Sequence, residues 1–398
     1  MIANIKTQMR TAHGTVLLCL ALLAGTTSCN RPATIEQKAI AGPSQLAIPE
    51  HGIYTGAYID FGDKEDTVTL EAIDDFEQLV GKHQAIVASS SYWGEQTFPT
   101  ANMLLITRHH SVPLVYWSPW APPYIENGKP DIYSLTSIAA GKHDAYIDRW
   151  ADQAREFGQP MIVSFANEVN GSWFPWSGGA YGAGKILEQG RPASIAGPGA
   201  EPKYQGAEVF KKAWRHVVDR VRARGATNIQ WAFHVMIYSD PVDYWNLAES
   251  YYPGADYVDW LGLSLYGSQF PGDKEWAPFF PLLDWPYTEL TLLDPNKPIM
   301  LCEWGVAELP HLGSKPDWFR DGFRMMKDPK FSRLKAIVYW HERWQNGKDD
   351  LPQNAGKYSN LRVNSSPESL DAYRSGVADP FYLGEPVFKP VPAKKAAQ

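Results

Sequence analysis

Cysteine is almost missing. The 398-residue chain has three, Cys19, Cys29 and Cys302, and two of them fall in the first thirty residues. The body therefore carries a single thiol, and neither a disulfide framework nor a CxxC metal site can be drawn. Cys302 lies inside an apolar run and reads as a small buried hydrophobe. Clusters of Lys or Arg are also absent and the net charge is −7, which argues against a nucleic-acid partner. The body has no internal repeat, no apolar run long enough to span a bilayer, and no hairpin signal between its strand-like runs. His109-His110 and His234 invite a metal reading. The adjacent pair points in different directions on any regular element, and no carboxylate follows at i+3 or i+4. No metal and no cofactor is expected.

Aromatics are plentiful: 13% of residues, with 16 Trp and 20 Tyr. Sugar-binding clefts use such rings because pyranoses present apolar C–H faces, and large cores use them too. Lys6 and Arg10 precede a short apolar run, Val16–Leu23, followed by Gly25-Thr26-Thr27-Ser28-Cys29. That is the pattern of an export signal, and it resembles a bacterial lipoprotein signal lipidated at Cys29. Plain secretory cleavage near the same point is the alternative. Residues 1–29 thus read as the signal, 30–50 as a polar tether, 51–380 as the folded domain and 381–398 as a C-terminal tail. The expected product is an exported monomer, touching a membrane only through a lipid anchor.

From Ile53 onward, apolar runs alternate with helical patterns. Strand-like runs lie at 53–59, 85–88, 112–116, 161–165, 229–234, 257–266, 298–303 and 334–340. Helical spacing is clearest at 68–80, 143–157 and 207–224. Segments 177–206 and 267–297 read as long loops. Eight such strands without hairpins predict a parallel sheet closed as a (β/α)8 barrel.

Two of these strands end in an acid. Met161–Phe165 runs into Asn167-Glu168, then Asn170-Gly171 and two tryptophans, Trp173 and Trp176. The run ending in Cys302 leads into Glu303-Trp304-Gly305. Matched carboxylates on the C-terminal rim, amid aromatics, are what glycosidic bond cleavage uses. One protonates the leaving oxygen, and the other attacks the anomeric carbon or activates water.

Asn-Glu after the fourth strand, with a second Glu ending the seventh, resembles the large clan of retaining (β/α)8 glycoside hydrolases. Within it, Asn167-Glu168-Val169-Asn170-Gly171-Ser172-Trp173-Phe174-Pro175-Trp176 is similar to the glycoside hydrolase family 26 motif His-Glu-Met-Asn-Gly-x-Trp-Tyr-Pro-Trp. Ala213–Val218, Gly225–Ile229 and Asn364–Pro367 support the resemblance, which spans about residues 52–375. It implies Glu168 as acid/base, Glu303 as nucleophile, Tyr266 as a hydrogen-bond donor to Glu303, and Asn167 as a donor to a sugar 2-hydroxyl. Trp173 and Trp176 are expected as sugar platforms, Trp340 and His341 as the cleft floor, and Trp117 on the rim with Trp120 and Trp304. The family carries Arg where this chain has Ser164, His where it has Asn167, and Trp-His where it has Trp117-Ser118. The expected substrate is a β-linked polysaccharide, β-mannan first, then mixed-linkage β-glucan or β-1,3-xylan. A non-catalytic sugar-binding lipoprotein and a transglycosylase are the alternatives.

Expression in a bacterial host with a radioactive fatty acid should label the wild type and leave Cys29→Ser unlabelled. An unlabelled wild type would remove the lipid anchor and leave export alone.

Overall fold

The computed structural model describes residues 44–61, 67–191, 202–347 and 353–391. The export signal, Cys29 and most of the tether lie outside these residues, as do the last seven residues of the chain. Eight parallel strands form the centre: β1 (Ile53–Ile59), β2 (Ile86–Tyr92), β3 (Val112–Ser118), β4 (Met161–Phe165), β5 (Ile229–Met236), β6 (Trp260–Tyr266), β7 (Ile299–Gly305) and β8 (Leu334–His341). Their spatial order follows the chain, and β8 closes on β1 with Trp340 opposite Tyr58. Helices follow in turn: α1 (Leu70–Val80), α2 (Thr100–Arg108), α3 (Asp144–Phe157), α4 (Gln205–Ala223), the single turn α5 (Ala248–Tyr251), α6 (Phe279–Leu293), α7 (Lys315–Met325) and α8 (Pro367–Val377). This is the (β/α)8 barrel.

The two-residue period of a strand sorts its side chains between two cores. Tyr58, Leu114, Ile162, Trp260 and Val338 fill the lumen. Their neighbours Ala57, Val115, Val163, Leu261 and Ile337 pack outward against the helices. Gly56 keeps one lumen position empty, because a Cβ there would come within 2.6 Å of the Ile86 carbonyl. The helices form where spacing and caps agree. On α1, Ile73, Phe76 and Val80 are buried, Thr69 accepts from the Ala72 N–H at 3.2 Å, and Gly81 ends the helix at φ 71°, a left-handed stop that glycine adopts freely.

Three expectations change. Segment 267–297, read as a loop, contains the 15-residue helix α6. Pro286 lies inside it, and Phe280, Trp285 and Leu292 are exposed apolar residues, so its apolar period is blurred on both faces. The domain also outreaches residues 51–380. Ser44–Leu46 pairs antiparallel with Phe388–Pro390, Leu46 is buried, and Tyr382–Leu383 pairs with the start of β1. Within 177–206, Ile186–Glu188 and Lys203–Tyr204 form a small antiparallel ladder. Among the described residues, no helix is long and apolar enough to cross a membrane.

The Asn364–Pro367 motif has a structural use. Glu308, on the segment after β7, accepts hydrogen bonds from Ser365 (2.8 Å), Ser366 (3.1 Å) and Ser369 (2.8 Å) at the start of α8. Hydrogen bonds to a charged acceptor contribute about 1.5–3 kcal/mol each, and a group shared by three is not additive. Glu308→Ala should therefore lower unfolding stability by about 2–4 kcal/mol in urea melts, with Glu308→Gln losing less. An unchanged midpoint would show that α8 docks without this clamp.

Candidate active site

The C-terminal mouth of the barrel holds both acids, and neither arrives by simple alternation. On β7, Met300 and Cys302 face the lumen and Leu301 faces the helices. Strict parity would then send Glu303 outward. The register between β7 and β6 shifts between Leu301 and Glu303, so Glu303 lies opposite Ser264 and Gly305 opposite Tyr266. This is a β-bulge, which inserts a residue and re-aims the side chain that follows. The bulged Cys302 carbonyl accepts from the Tyr116 hydroxyl across the lumen at 2.8 Å, so it is not left unpaired.

Glu168 lies just beyond β4, where the chain leaves the regular ladder. Ala166 and Glu168 both have positive φ, 48° and 56°, a conformation that costs non-glycine residues about 1–3 kcal/mol each and gathers at functional sites. The surroundings hold it in place. The Glu168 N–H donates to the His234 carbonyl at 2.8 Å. The Asn170 side chain bonds both the carbonyl and the N–H of Met236, at 3.0 and 2.9 Å. Trp176 donates its indole N–H to the Asn167 carbonyl at 2.6 Å. Gly171 leaves room for Trp173, whose ring a Cβ would meet at 2.5 Å. Trp173 in turn donates to Glu168 Oε2 at 3.2 Å. The ten-residue motif is thus mostly a brace for one carboxyl.

The two acids face each other. The nearest donor atoms of Glu168, His234 and Glu303 lie within 4.8 Å of one another, and the glutamates are 6% and 7% exposed. Tyr266 donates its hydroxyl to Glu303 Oε2 at 2.7 Å. The Ser264 hydroxyl favours the charged form of both carboxyls and lies 2.7 Å from His234 Nε2, while His234 Nδ1 lies 3.1 Å from Ser164 Oγ. Burial pushes the His234 pKa down to about 3, so the ring is neutral. A neutral imidazole donates from one nitrogen only. If Ser264 donates to a carboxylate, it receives the His234 Nε2 proton, and Nδ1 accepts from Ser164. Both ring nitrogens are then engaged.

Burial pushes the Glu168 carboxyl up to about 7, against the donors Ser264 and Trp173, which favour its anion. Glu303 is raised as well, first by burial and then by the charge of Glu168. Burial and the neighbouring acid thus both favour a protonated carboxyl in the pair. Glu303 alone receives the Tyr266 hydroxyl, and that donor favours the negative charge on it.

The other expected site residues divide by parity. Trp340 ends β8 facing the mouth, stacked on Tyr58 at 3.8 Å, and donates to Glu342 at 2.6 Å. His341 faces the other way. It packs on Phe76, and its Nδ1 accepts from the Val363 N–H at 3.1 Å, so it supports the wall and not the cleft floor. Trp117 is fully buried outside the lumen, stacked on Trp150 at 4.0 Å and donating to Tyr146. Trp304 is likewise buried among the helices. Trp176 is buried against Phe174 and Trp120 and offers no free face. Of the expected platforms Trp173 reaches the mouth, and of the expected floor residues Trp340 does. Ser264 and Tyr116 went unread in the sequence, and His234 was considered there only as a metal ligand. Ser264 precedes Tyr266 by two residues on one strand face, which was the available signal.

The raised carboxyl has a stability consequence. A group whose folded pKa lies above its unfolded value stabilises the fold fully at pH below the unfolded pKa. That contribution is lost as pH rises to the folded pKa. For Glu168 the window runs from the ordinary 4.5 to about 7, on the order of 3 kcal/mol. Glu168→Gln should raise the melting temperature at pH 8 and change it far less at pH 4.5. Equal shifts at both pH values would mean the carboxyl is not buried in this way.

The sequence matches the model of glycosyl hydrolase family 26 over residues 77–279. Similar curated proteins include Endoglucanase H of Acetivibrio thermocellus, 27% identical over 82% of this chain and 30% of that protein. Another is the beta-1,3-xylanase TXYA of a Vibrio species, 25% identical over 63% of this chain and 50% of that protein. The chain thus spans half or less of the length of these relatives. Among solved structures, the catalytic domain of the GH26 endo-beta-1,4-mannanase of Bacillus sp. JAMB-750 superposes with a TM-score of 0.56 at 19% identity, covering 83% of this chain and 87% of that one. At that identity the likeness speaks for the fold, which is the barrel described above. With the family model covering half of the chain, including β4 and its acid, the chain belongs to glycosyl hydrolase family 26.

Proposed function

We propose that the protein is a retaining endo-β-glycanase. The observation that carries this reading is that a carboxyl oxygen of Glu168 and one of Glu303 lie within 4.8 Å of each other. Retaining glycosidases hold their carboxyls about 5–5.5 Å apart, whereas inverting ones leave about 6.5–9.5 Å for a water molecule. Glu168, raised by burial, acts as the acid that protonates the leaving oxygen. Glu303, with the Tyr266 hydroxyl on it, attacks the anomeric carbon and forms a glycosyl-enzyme. Glu168, now ionised, then takes a proton from the water that cleaves it. Asn167 is read as the donor to the sugar 2-hydroxyl, with Trp173 and Trp340 as apolar faces for the ring.

On substrate, the relatives named for an endoglucanase and a β-1,3-xylanase share more sequence with this chain than the mannanases do, whose likeness is one of fold. Ser164 and Asn167 replace the Arg and His of the family pattern beside the acid. A β-glucan or β-1,3-xylan therefore ranks with, or ahead of, β-mannan. The signal at the N-terminus is read as delivering the enzyme outside the cytoplasm, on a lipid anchor at Cys29.

Proton NMR of the first product released from a β-linked polysaccharide should show the β-anomer before mutarotation. Glu168→Ala should lose about 10²–10⁴-fold on substrates with poor leaving groups, retain more on activated aryl glycosides, and yield a β-glycosyl azide when azide is added. An initial α-anomer would overturn the nucleophile role of Glu303. Equal loss on all leaving groups, without azide rescue, would place the acid elsewhere.

A further inference from the structure

The opposite end of the barrel carries a second cluster. Glu77 lies near the end of α1, His83 in the turn that leads to β2, and His109 at the end of α2 before β3. Three separate segments thus converge at the N-terminal ends of the strands, away from the mouth that holds Glu168 and Glu303. Their nearest donor atoms lie within 4.8 Å of one another. His83 Nδ1 is 2.8 Å from Glu77 Oε1, and His109 Nε2 is 3.6 Å from Glu77 Oε2. Asp74, one helical turn before Glu77, brings Oδ1 to 3.2 Å from the same His109 Nε2. The two imidazoles stand 5.0 Å apart and are tilted by 38°, so they are side by side without stacking.

These spacings match what a small divalent ion needs. Zn²⁺ binds nitrogen and oxygen donors at about 2.0–2.2 Å in a tetrahedron, which places its donors roughly 3.3–3.6 Å apart. The contacts of Glu77 with His83 and His109 lie within about 1 Å of that range, and Asp74, held to the group through His109, would turn in as the fourth donor. The charges also fit: two carboxylates face two imidazoles, and neutral imidazole with carboxylate suits zinc and other first-row divalent ions. The side chains of Glu77, His83 and His109 are 16%, 22% and 13% exposed, and that of Asp74 is 69% exposed. The site is partly shielded yet open to solvent on the Asp74 side. Neighbouring groups support it: the Gln84 N–H donates to Glu77 Oε1 at 2.8 Å, and His109 Nδ1 lies 3.3 Å from Ser111 Oγ, a partner of the kind that orients a metal-bound imidazole.

We propose that Glu77, His83, His109 and Asp74 form a structural binding site for one divalent transition-metal ion, most suitably Zn²⁺. It would cross-link the α1–β2 and α2–β3 turns at the base of the barrel. Because the unfolded chain has no such site, the ion binds the native state and raises its stability by mass action.

The test uses the whole protein after chelator treatment and dialysis. Titration with Co²⁺ should give one equivalent bound, with the intense visible absorption of a four-coordinate site, and Zn²⁺ should displace it. Zn²⁺ should raise the melting temperature of the wild type by a few degrees. The double variant His83→Ala/His109→Ala should lose both effects. The exposed-site variant Asp74→Asn, which folds without disturbing the core, should weaken Co²⁺ binding by roughly tenfold or more. Absence of stoichiometric Co²⁺ binding by the wild type would overturn the proposal. So would binding that persists unchanged in Asp74→Asn and in the double variant, because the ion would then sit on other histidines.

Discussion

Everything at the barrel mouth answers to one constraint: two carboxyls are buried within 4.8 Å of each other. Two full charges at that distance repel by roughly 3–4 kcal/mol at an effective dielectric of about 20, before any cost of leaving water. The fold meets this repulsion in two ways. It raises both carboxyls by burial, and Glu303 also by the charge of Glu168, which favours their neutral forms over two adjacent anions. It also surrounds the pair with donors that make no charge of their own: Ser264, Tyr266 and Trp173. No lysine or arginine stands among the groups that shift either carboxyl. A cation there would have stabilised both anions and removed the acid.

The backbone bears the geometric share of the same constraint. A regular β7 would send Glu303 into the helix shell, and a regular exit from β4 would give Glu168 a different direction. The bulge after Leu301 and the left-handed residues Ala166 and Glu168 correct both. Each irregularity has its own clamp, Tyr116 on the Cys302 carbonyl and Asn170 on the end of β5. These clamps are lumen or loop groups with no chemistry to perform. Their role is to make an unfavourable backbone the only one that satisfies its hydrogen bonds.

That division explains what could be read from the sequence. Eight apolar runs and the helix stripes carry strong periodic signals, so the barrel was legible, and so were the acids that end two of its strands. Facing was less legible. Trp117, Trp304 and His341 each stand next to a lumen residue, and a shift of one position moves a ring from the cleft to the helix shell. Parity counted from Cys302 would even have misdirected Glu303, because a bulge leaves no mark in composition. Trp176 was misplaced for another reason: its indole N–H is spent on the Asn167 carbonyl, a long-range detail that loop sequence does not encode. Helix α6 was hidden by Pro286 and by apolar residues on its solvent side.

The high aromatic content therefore has mainly a packing cause. Trp93, Trp117, Trp150, Trp214, Trp231 and Trp304 are all fully buried, and they fill the wide layer between sheet and helices. At the mouth, Trp173 and Trp340, with Tyr58 beneath it, are the rings beside the acids that are in position to meet a sugar. On the glycanase reading, discrimination between sugars then falls to polar groups beside the acids. There this chain has a neutral relay, Ser164, His234 and Ser264, with Ser164 standing where the family pattern has arginine. Such a relay supplies hydrogen bonds of fixed direction and no net charge. It can orient the carboxyls without adding a charge that would hold either one as an anion.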